Sequence, residues 1–143
     1  MNIKQISILT SRVALFVIYF WFGFLKVIGQ SPASSLVKDL LSHTIPFISF
    51  GVFIVFFGLF EMLIGLLFII PGKEKLATIL FGIHVFTTTL PLFLLHGEVW
   101  THIFVPTLEG QYIIKNLALI ACALTIWSSL HPQKILGRSD VII

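Results

Sequence analysis

The sequence has few charged residues and almost no cysteine. Only 10% of its 143 residues are Asp, Glu, Lys or Arg and 57% are apolar, whereas soluble domains carry about 25% charged residues. Nine basic and six acidic side chains cannot form a polar shell around that much apolar surface. The single cysteine, Cys122, excludes an intramolecular disulfide and redox chemistry by a thiol pair of the chain itself. The composition predicts an integral membrane protein whose partner is the lipid bilayer and not a nucleic acid.

Long apolar runs supply four segments of the length that a bilayer requires. About 20 apolar residues cross a hydrocarbon core of ~30 Å as a helix. The four segments cover about residues 6–28, 45–70, 76–95 and 112–130. The predicted fold class is therefore all-α, and residues 1–143 form a single four-span membrane domain folded as a four-helix bundle.

The three connections between these spans differ in character. Pro71 and Gly72, followed by Lys73, predict a tight turn, so the second and third spans form a hairpin. Residues 31–44 have the pattern of a short amphipathic helix, which is expected to lie along the membrane surface between the first and second spans. The connection over residues 96–110 is longer and more polar, and is expected to lie at the surface as a candidate lid.

The N-terminal segment has an alternative interpretation as a cleaved signal peptide, because Lys4 precedes an apolar stretch and residues 31–33 resemble a cleavage site. The stretch is longer than the apolar region of a signal peptide, so we interpret it as a retained first span. The positive-inside rule then predicts that both termini are cytoplasmic. The basic residues on that side are Lys4, Arg12, Lys73, Lys75, Lys134 and Arg138.

Two ionisable residues, Glu61 and His84, fall well inside the predicted spans. At 1.5 Å per residue both lie roughly 12–14 Å from the same membrane face, so their side chains can meet. An ionisable group inside the membrane is a functional-site hypothesis by default. The pair can relay a proton, or hold the head group of a quinol and accept its proton. The structural alternative is that a protonated Glu61 joins the second and third helices by a hydrogen bond.

Polar residues also collect at the opposite end of the spans. Lys26 closes the first span, while Gln111, Lys115 and Asn116 open the fourth. Together they predict a recess for an anion or for the carbonyl oxygens of a quinone, covered by residues 96–110. The alternative is that both lysines extend to the lipid headgroups and pair with loop carboxylates. The histidines of the covering connection lack a helical ligand spacing, so no metal site is predicted.

Glycines recur every seven residues in the second span, at Gly51, Gly58 and Gly65. Seven residues are close to two helical turns, so the three glycines share one face of the helix. A face of small residues allows a neighbouring backbone to approach closely. The repeat therefore predicts a tight helix–helix contact.

Four stretches of the sequence resemble a known family, the DoxX-like small membrane proteins. The resemblance is closest to the branch that includes a reactive-chlorine-resistance inner-membrane protein, and it covers nearly the whole chain. The stretches are residues 22–26 at the end of the first span, residues 58–61 with Gly65 in the second, residues 87–89 before Pro91 in the third, and residues 110–119 at the start of the fourth.

This resemblance implies a four-helix protein of the bacterial inner membrane. Some relatives are a subunit of a thiosulfate:quinone oxidoreductase, and others are associated with oxidative or thiol stress. The residues that match the motifs are Lys26, Glu61, Lys115 and Asn116. The cysteine pair of redox-coupled relatives is absent, which argues against direct thiol exchange by this chain. A quinone is thus the candidate cofactor, and a membrane or soluble redox protein is the candidate partner.

Three classes of function agree with these features. The first is a quinone-interacting or accessory component of redox and oxidative-stress defence. The sequence favours an accessory role for it and leaves open whether it catalyses a reaction. The second is a structural or assembly subunit of a membrane complex. The third is a carrier or sensor for a small anion or oxidant that enters through the recess at Lys26 and Lys115. The sequence leaves open whether the chain forms a homo-oligomer.

Overall fold

The computed structural model describes residues 2–130 and is built almost entirely from helices. Within these residues, four helical segments are long and apolar enough to cross a membrane. They are Ile3–Val27, Phe50–Ile69, Glu74–Leu94 and Leu108–Leu130. The predicted all-α four-helix bundle is confirmed. Two of the basic residues used for the orientation, Lys134 and Arg138, lie outside the described residues.

The described chain contains eight helices and one small hairpin. The helices are α1 Ile3–Val27, α2 Ser34–Thr44, α3 Phe50–Ile69, α4 Glu74–Thr89, α5 Pro91–Leu94, α6 His96–Val99, α7 Leu108–Ile114 and α8 Asn116–Leu130. Strands β1 Trp100–His102 and β2 Val105–Pro106 pair antiparallel. Helix α2 forms within the segment predicted for the short helix. The β-hairpin within the connection over residues 96–110 was not predicted.

Two of the spans are interrupted near the same end of the bundle. The third breaks at Leu90, because Pro91 has no N–H to continue the helix. The Leu90 N–H bonds the carbonyl of Thr87 at 3.3 Å, so the last turn tightens before α5 begins. The fourth breaks at Lys115, between α7 and α8, where no proline or glycine marks the position.

Helices α1 and α3 pack most extensively, through glycines that let their backbones approach. A Cβ added at Gly58 would lie 2.6 Å from the carbonyl oxygen of Gly23. At Gly65, an added Cβ would lie 2.9 Å from the backbone nitrogen of Phe20. Gly51 has no neighbour within 4 Å of an added Cβ. The predicted tight contact thus forms at two of the three repeated glycines, with α1 as the partner.

A continuous apolar layer fills the middle of the bundle between α1, α3, α4 and α8. Many large apolar side chains outside this layer are exposed and face the lipid, including Phe56 and Phe86, each 69% exposed. The apolar layer consists of Leu15, Ile64, Phe68, Ala77, Phe81 and Ile126, all buried.

Arg12 joins three helices at one end of the bundle. Its Nη1 lies 2.9 Å from Glu74 Oε1, its Nε donates to the carbonyl of Phe68 at 2.7 Å, and its Nη2 donates to that of Ile69 at 3.2 Å. Carbonyls at a helix C-terminus have no partner within the helix, so Arg12 caps α3 while it holds the start of α4. We call this end the Arg12 face, and the opposite end, where α1 ends, the Lys26 face.

Replacing Arg12 by lysine is expected to lower the free energy of unfolding by about 1 kcal/mol, because an ammonium cannot reproduce the fork of donors to two carbonyls and a carboxylate. The measurement is reversible unfolding in mixed micelles. Lys75, exposed in the same turn region, supplies the control: Lys75→Ala should change stability by less than about 0.5 kcal/mol. Equal effects of the two substitutions would contradict the capping role.

Candidate functional site

Four buried polar side chains form one hydrogen-bonded chain across three spans. Lys26 Nζ of α1 lies 2.7 Å from Glu61 Oε2 of α3. Glu61 Oε1 lies 2.8 Å from His84 Nε2 of α4, and His84 Nδ1 lies 3.1 Å from the Tyr19 hydroxyl of α1. Each of the four residues is 5% exposed. We call these four side chains the polar chain.

Helical spacing and the glycine contact bring the polar chain together. Tyr19, Gly23 and Lys26 follow one another at four and three residues, so they share the face of α1 that packs on α3. An added Cβ at Gly58 would lie 2.9 Å from Lys26 Cβ. The lysine stem therefore crosses α3 where that helix has no side chain, and its ammonium reaches Glu61 less than one turn further along.

Aromatic rings enclose the imidazole of His84. Phe57 stacks on it with ring centroids 5.0 Å apart and an interplanar angle of 18°. Tyr19 meets it edge-on at 5.0 Å and 69°. The Lys26 ammonium lies 5.7 Å from the centroid of the same Phe57 ring, within the range of a cation–π contact. These rings exclude water from the polar chain and fix the plane of the imidazole.

One assignment of hydrogens satisfies every contact of the polar chain. The Lys26 ammonium donates to the Glu61 carboxylate, and a neutral His84 donates from Nε2 to the same carboxylate. His84 Nδ1 then accepts the hydroxyl proton of Tyr19. This tautomer is assigned from the bonding partners. The ion pair is neutral overall, which is the arrangement that a low-dielectric interior favours.

The polar chain can move a proton by successive short transfers. A proton that reaches the Tyr19 oxygen releases the hydroxyl proton to His84 Nδ1, and the Nε2 proton passes to Glu61. Among residues 2–130, no buried side-chain nitrogen or oxygen lacks a hydrogen-bond partner. The same residues contain no group of three His, Cys, Asp or Glu side chains that is able to hold a metal ion.

The remaining predicted site residues make other contacts. Lys115 is exposed, and its ammonium lies 5.0 Å from the Tyr112 ring centroid. Gln111 is exposed as well. Asn116 is half-buried, and its Nδ2 lies 3.5 Å from Thr88 Oγ1. Lys26, by contrast, turns into the bundle and pairs with Glu61, so the two lysines have different partners, and the recess expected between them stays a prediction.

Sequence reasoning missed Tyr19. The sequence contained an indication of its role. Tyr19 lies seven residues before Lys26, within a span whose other aromatic residues are mostly phenylalanine. A tyrosine hydroxyl buried in an apolar span requires a hydrogen-bond partner, whereas a phenylalanine does not. The structure thus brings together Lys26, Glu61 and His84 and adds Tyr19 to them.

A separate group of ionisable residues lies in α2, in α6 and in the first turn of α7. The carboxyl of Glu98, in α6, is influenced by Asp39 and His43 of α2 and by Glu109 of α7. Partial desolvation and the neighbouring Asp39 carboxylate raise the pKa of Glu98 above its ordinary value of 4.5, and His43 opposes this shift. Because all these groups are polar and accessible to water, they form a pH-sensitive contact between α2 and the 96–110 connection.

Stability should decline relative to the Glu98→Gln variant as pH rises above about 4.5 and through the raised pKa of Glu98. The pKa of Glu98 is higher in the folded than in the unfolded protein, so protonation of this carboxyl stabilises the fold. This stabilisation is fully present below about pH 4.5. It is lost as pH rises through the folded pKa. The measurement is the difference in Tm between wild type and variant at each pH. A difference that does not change with pH would contradict this coupling.

Comparisons with known proteins do not assign the chain to a family. No protein-family model, curated protein or solved structure matches it. The likeness to the DoxX-like proteins therefore stays a prediction from sequence motifs. The function has to be inferred from the polar chain itself.

Proposed function

We propose that this chain is an accessory membrane component of redox and oxidative-stress defence, in which the polar chain handles protons for a quinone. The observation that carries the proposal is the unbroken series of hydrogen bonds from Lys26 through Glu61 and His84 to Tyr19. All four side chains are buried inside helices able to span a membrane.

The cost of burying these groups favours a functional role over a purely structural one. Moving a carboxylate and an ammonium out of water costs several kcal/mol per ion, and apolar residues of the same volume often stabilise a fold as well or better. Ionisable groups within membrane spans therefore mark proton or substrate pathways more often than they serve packing alone. A single hydrogen bond between neutral side chains is enough to join two helices, whereas here three ionisable side chains and the Tyr19 hydroxyl follow one another in one chain.

Quinone chemistry fits the polar chain because it requires both protons and a lipid-soluble substrate. Oxidation of a quinol to a quinone releases two protons and two electrons. The polar chain takes up the two protons one after the other from the quinol hydroxyls, through Tyr19 and His84, and passes each of them to Glu61. The electrons pass to a separate redox protein, since this chain carries a single cysteine and no dithiol of its own. The protein accordingly acts with a partner and is not an enzyme by itself.

We place the protein in the bacterial inner membrane with both termini cytoplasmic. Lys4, Lys73 and Lys75 lie at or near the helix ends of the Arg12 face. The positive-inside rule assigns such a face to the cytoplasm. The Lys26 face is then periplasmic, and Lys26 itself is neutralised by Glu61 within the bundle.

The test is the quinone content of gently solubilised protein, measured by native mass spectrometry with lipid extraction. Wild type is expected to retain a quinone, and Tyr19→Phe is expected to lose at least about tenfold in retention, equivalent to ~1.4 kcal/mol or one hydrogen bond. Lys115→Ala is the matched control and should retain quinone like the wild type. A wild type that binds only phospholipid would overturn the proposal. Loss of the quinone in Lys115→Ala but not in Tyr19→Phe would indicate that the quinone binds at the start of α8.

A second candidate function is that of a structural or assembly subunit. The observation that favours it is that no buried side-chain polar atom in residues 2–130 lacks a partner, so the polar chain is complete without a ligand. This candidate predicts a partner protein that copurifies in fixed stoichiometry and a Tyr19→Phe variant with undiminished assembly. Repeated purification of the chain alone would exclude it.

A further inference from the structure

Resting on the proton-handling role proposed above, we infer that the polar chain exchanges protons with the Lys26 face alone. The apolar layer separates it from the Arg12 face. The protein is therefore a one-sided proton-transfer site and not a conductor across the membrane. This inference rests on two features of the structure. The polar chain ends at the C-terminus of α1, and a buried apolar layer lies on its other side.

The polar chain reaches the Lys26 face through the last turn of α1. Lys26 is the penultimate residue of that helix, and residues 28–30, which follow it, are exposed. Gly29 turns the chain away with a φ of +72°. A lysine ammonium sits on a flexible four-carbon stem, so it can leave Glu61 and reach water or a headgroup within about one helical turn. Movement of the ammonium opens Glu61 to water from this face, and that water accepts the proton, since an ammonium has no lone pair to receive it.

Every span of the polar chain places apolar side chains between it and the Arg12 face. Helix α1 contributes Leu15, α3 contributes Ile64 and Phe68, and α4 contributes Ala77 and Phe81. Four of these five residues are 0% exposed, and the fifth, Phe81, is 3% exposed. The seven residues that separate Tyr19 from the Arg12 face along α1 correspond to about 10 Å. A proton crossing that distance needs water or polar side chains.

Few polar side chains lie near the apolar layer among residues 2–130. On α1, the buried Ser11 directly precedes Arg12, at the Arg12 face. Between residues 76 and 83 of α4, the one polar side chain is Thr78, which bonds the backbone carbonyl of Glu74 at 2.9 Å. Cys122 of α8 is half-buried and packs against the edge of the core. This cysteine is the one titratable residue in α8. Asp39 of α2 and Glu98 of α6 lie outside the spans, and Glu109 lies in the first turn of the fourth span, near Glu98.

The recess at the Arg12 face ends at Arg12. An open recess of about 310 Å³ lies at this end. It leads to the Arg12 guanidinium, which is occupied by Glu74 and by two backbone carbonyls. Leu15, the next buried residue of α1, is fully buried behind it. The lining of the recess consists of Gln5, Ile8, Leu9, Arg12, Ile69 and Pro71.

One-sided access specifies the reaction that the protein can serve. The redox step must release its protons to, or take them from, the Lys26 face. A quinol oxidation coupled to this chain then delivers protons to that face while the electrons leave through the partner. A reaction that needs protons from the Arg12 face is excluded for this site.

The experiment uses full-length wild type in proteoliposomes of one orientation, sorted by an affinity tag on the C-terminus. The protein carries isotope-labelled histidine, and His84→Gln identifies the infrared band of His84. The external pH is stepped between about 5 and about 9 while the internal pH is clamped. The same step is applied to vesicles of the opposite orientation.

We expect the His84 band to shift when the step reaches the Lys26 face and to stay unchanged when it reaches the Arg12 face. Proton leak under a potassium diffusion potential should equal that of protein-free vesicles. A shift from the Arg12 face, a shift from both faces, no shift from either, or a protein-dependent leak would each overturn the inference. Quinone retention is measured separately, so failure of one-sided access is distinguishable from failure of quinone binding.

Discussion

Replacing Glu61 by alanine is expected to lower the free energy of unfolding by about 3–5 kcal/mol, because it leaves a buried ammonium and a buried imidazole N–H without an acceptor. Lys26 and His84 both use this carboxylate, at 2.7 and 2.8 Å. Neither has another side-chain acceptor within the polar chain. Reversible unfolding in mixed micelles gives the free energy, and loss of cooperative unfolding would mark the upper end of the effect.

The matched control for Glu61→Ala removes the lysine charge as well. Lys26→Met combined with Glu61→Met replaces the ion pair by apolar side chains of similar volume, which is often neutral for stability. Recovery is expected to be partial, because His84 Nε2 still lacks an acceptor. If the double variant were no more stable than Glu61→Ala, the two charges would not be coupled. That result would contradict a stabilising ion pair between Lys26 and Glu61.

Introducing a methyl group at Gly58 is expected to destabilise the bundle by about 2–3 kcal/mol through overpacking. The added Cβ would lie 2.6 Å from the Gly23 carbonyl oxygen and 2.9 Å from Lys26 Cβ. Helices α1 and α3 must therefore separate, and the separation also lengthens the bond from Lys26 to Glu61. Gly58→Ala should accordingly lower Tm and weaken the polar chain together, as measured by thermal unfolding and by the His84 infrared band.

Gly51→Ala provides the control within the same helix. An added Cβ at Gly51 has no neighbour within 4 Å, so only the intrinsic helix preference for alanine, at most about 1 kcal/mol, affects stability. Tm should stay the same or rise slightly. Equal loss of stability at Gly51 and Gly58 would show that the close contact of α1 and α3 is not what makes Gly58 sensitive.

The sequence was sufficient to predict the spans and one contact of the site. Counting helical rise from a shared turn placed Glu61 and His84 at equal depth, and the structure has them in contact at 2.8 Å. Both residues belong to one hairpin, so a single turn determines their relative depth. Depth within a hairpin depends only on the number of residues, which the sequence provides directly.

Partners on helices distant in sequence were not predictable in the same way. Whether Lys26 pairs with Glu61 or extends to the headgroups depends on which face of α1 meets α3, and the glycine at position 58 decides that. The sequence showed the glycine face of α3 but not which helix would occupy it. Lys115 sits at the break between α7 and α8, and a break without proline or glycine leaves no local signal.

The polar chain and the glycine contact depend on each other. Gly23 and Gly58 bring α1 close enough to α3 for Lys26 to reach Glu61, and the resulting ion pair lies inside a bundle whose core is otherwise apolar. A fold optimised for stability alone would replace such a pair by hydrophobic side chains. Its presence supports a site whose protonation changes during function.

The proposal that the polar chain serves a quinone is tested by titrating the protein in lipid nanodiscs with a quinone. Nitrogen-15 NMR of the histidines monitors the titration. A short-chain quinone is expected to shift the His84 ring signals saturably, because its head group competes for the Tyr19 hydroxyl that bonds His84 Nδ1. The exposed histidines His43 and His96 should keep their shifts, and Tyr19→Phe should abolish the response. Unchanged His84 signals at saturating quinone, or an equal response in Tyr19→Phe, would contradict the proposal that the polar chain serves a quinone.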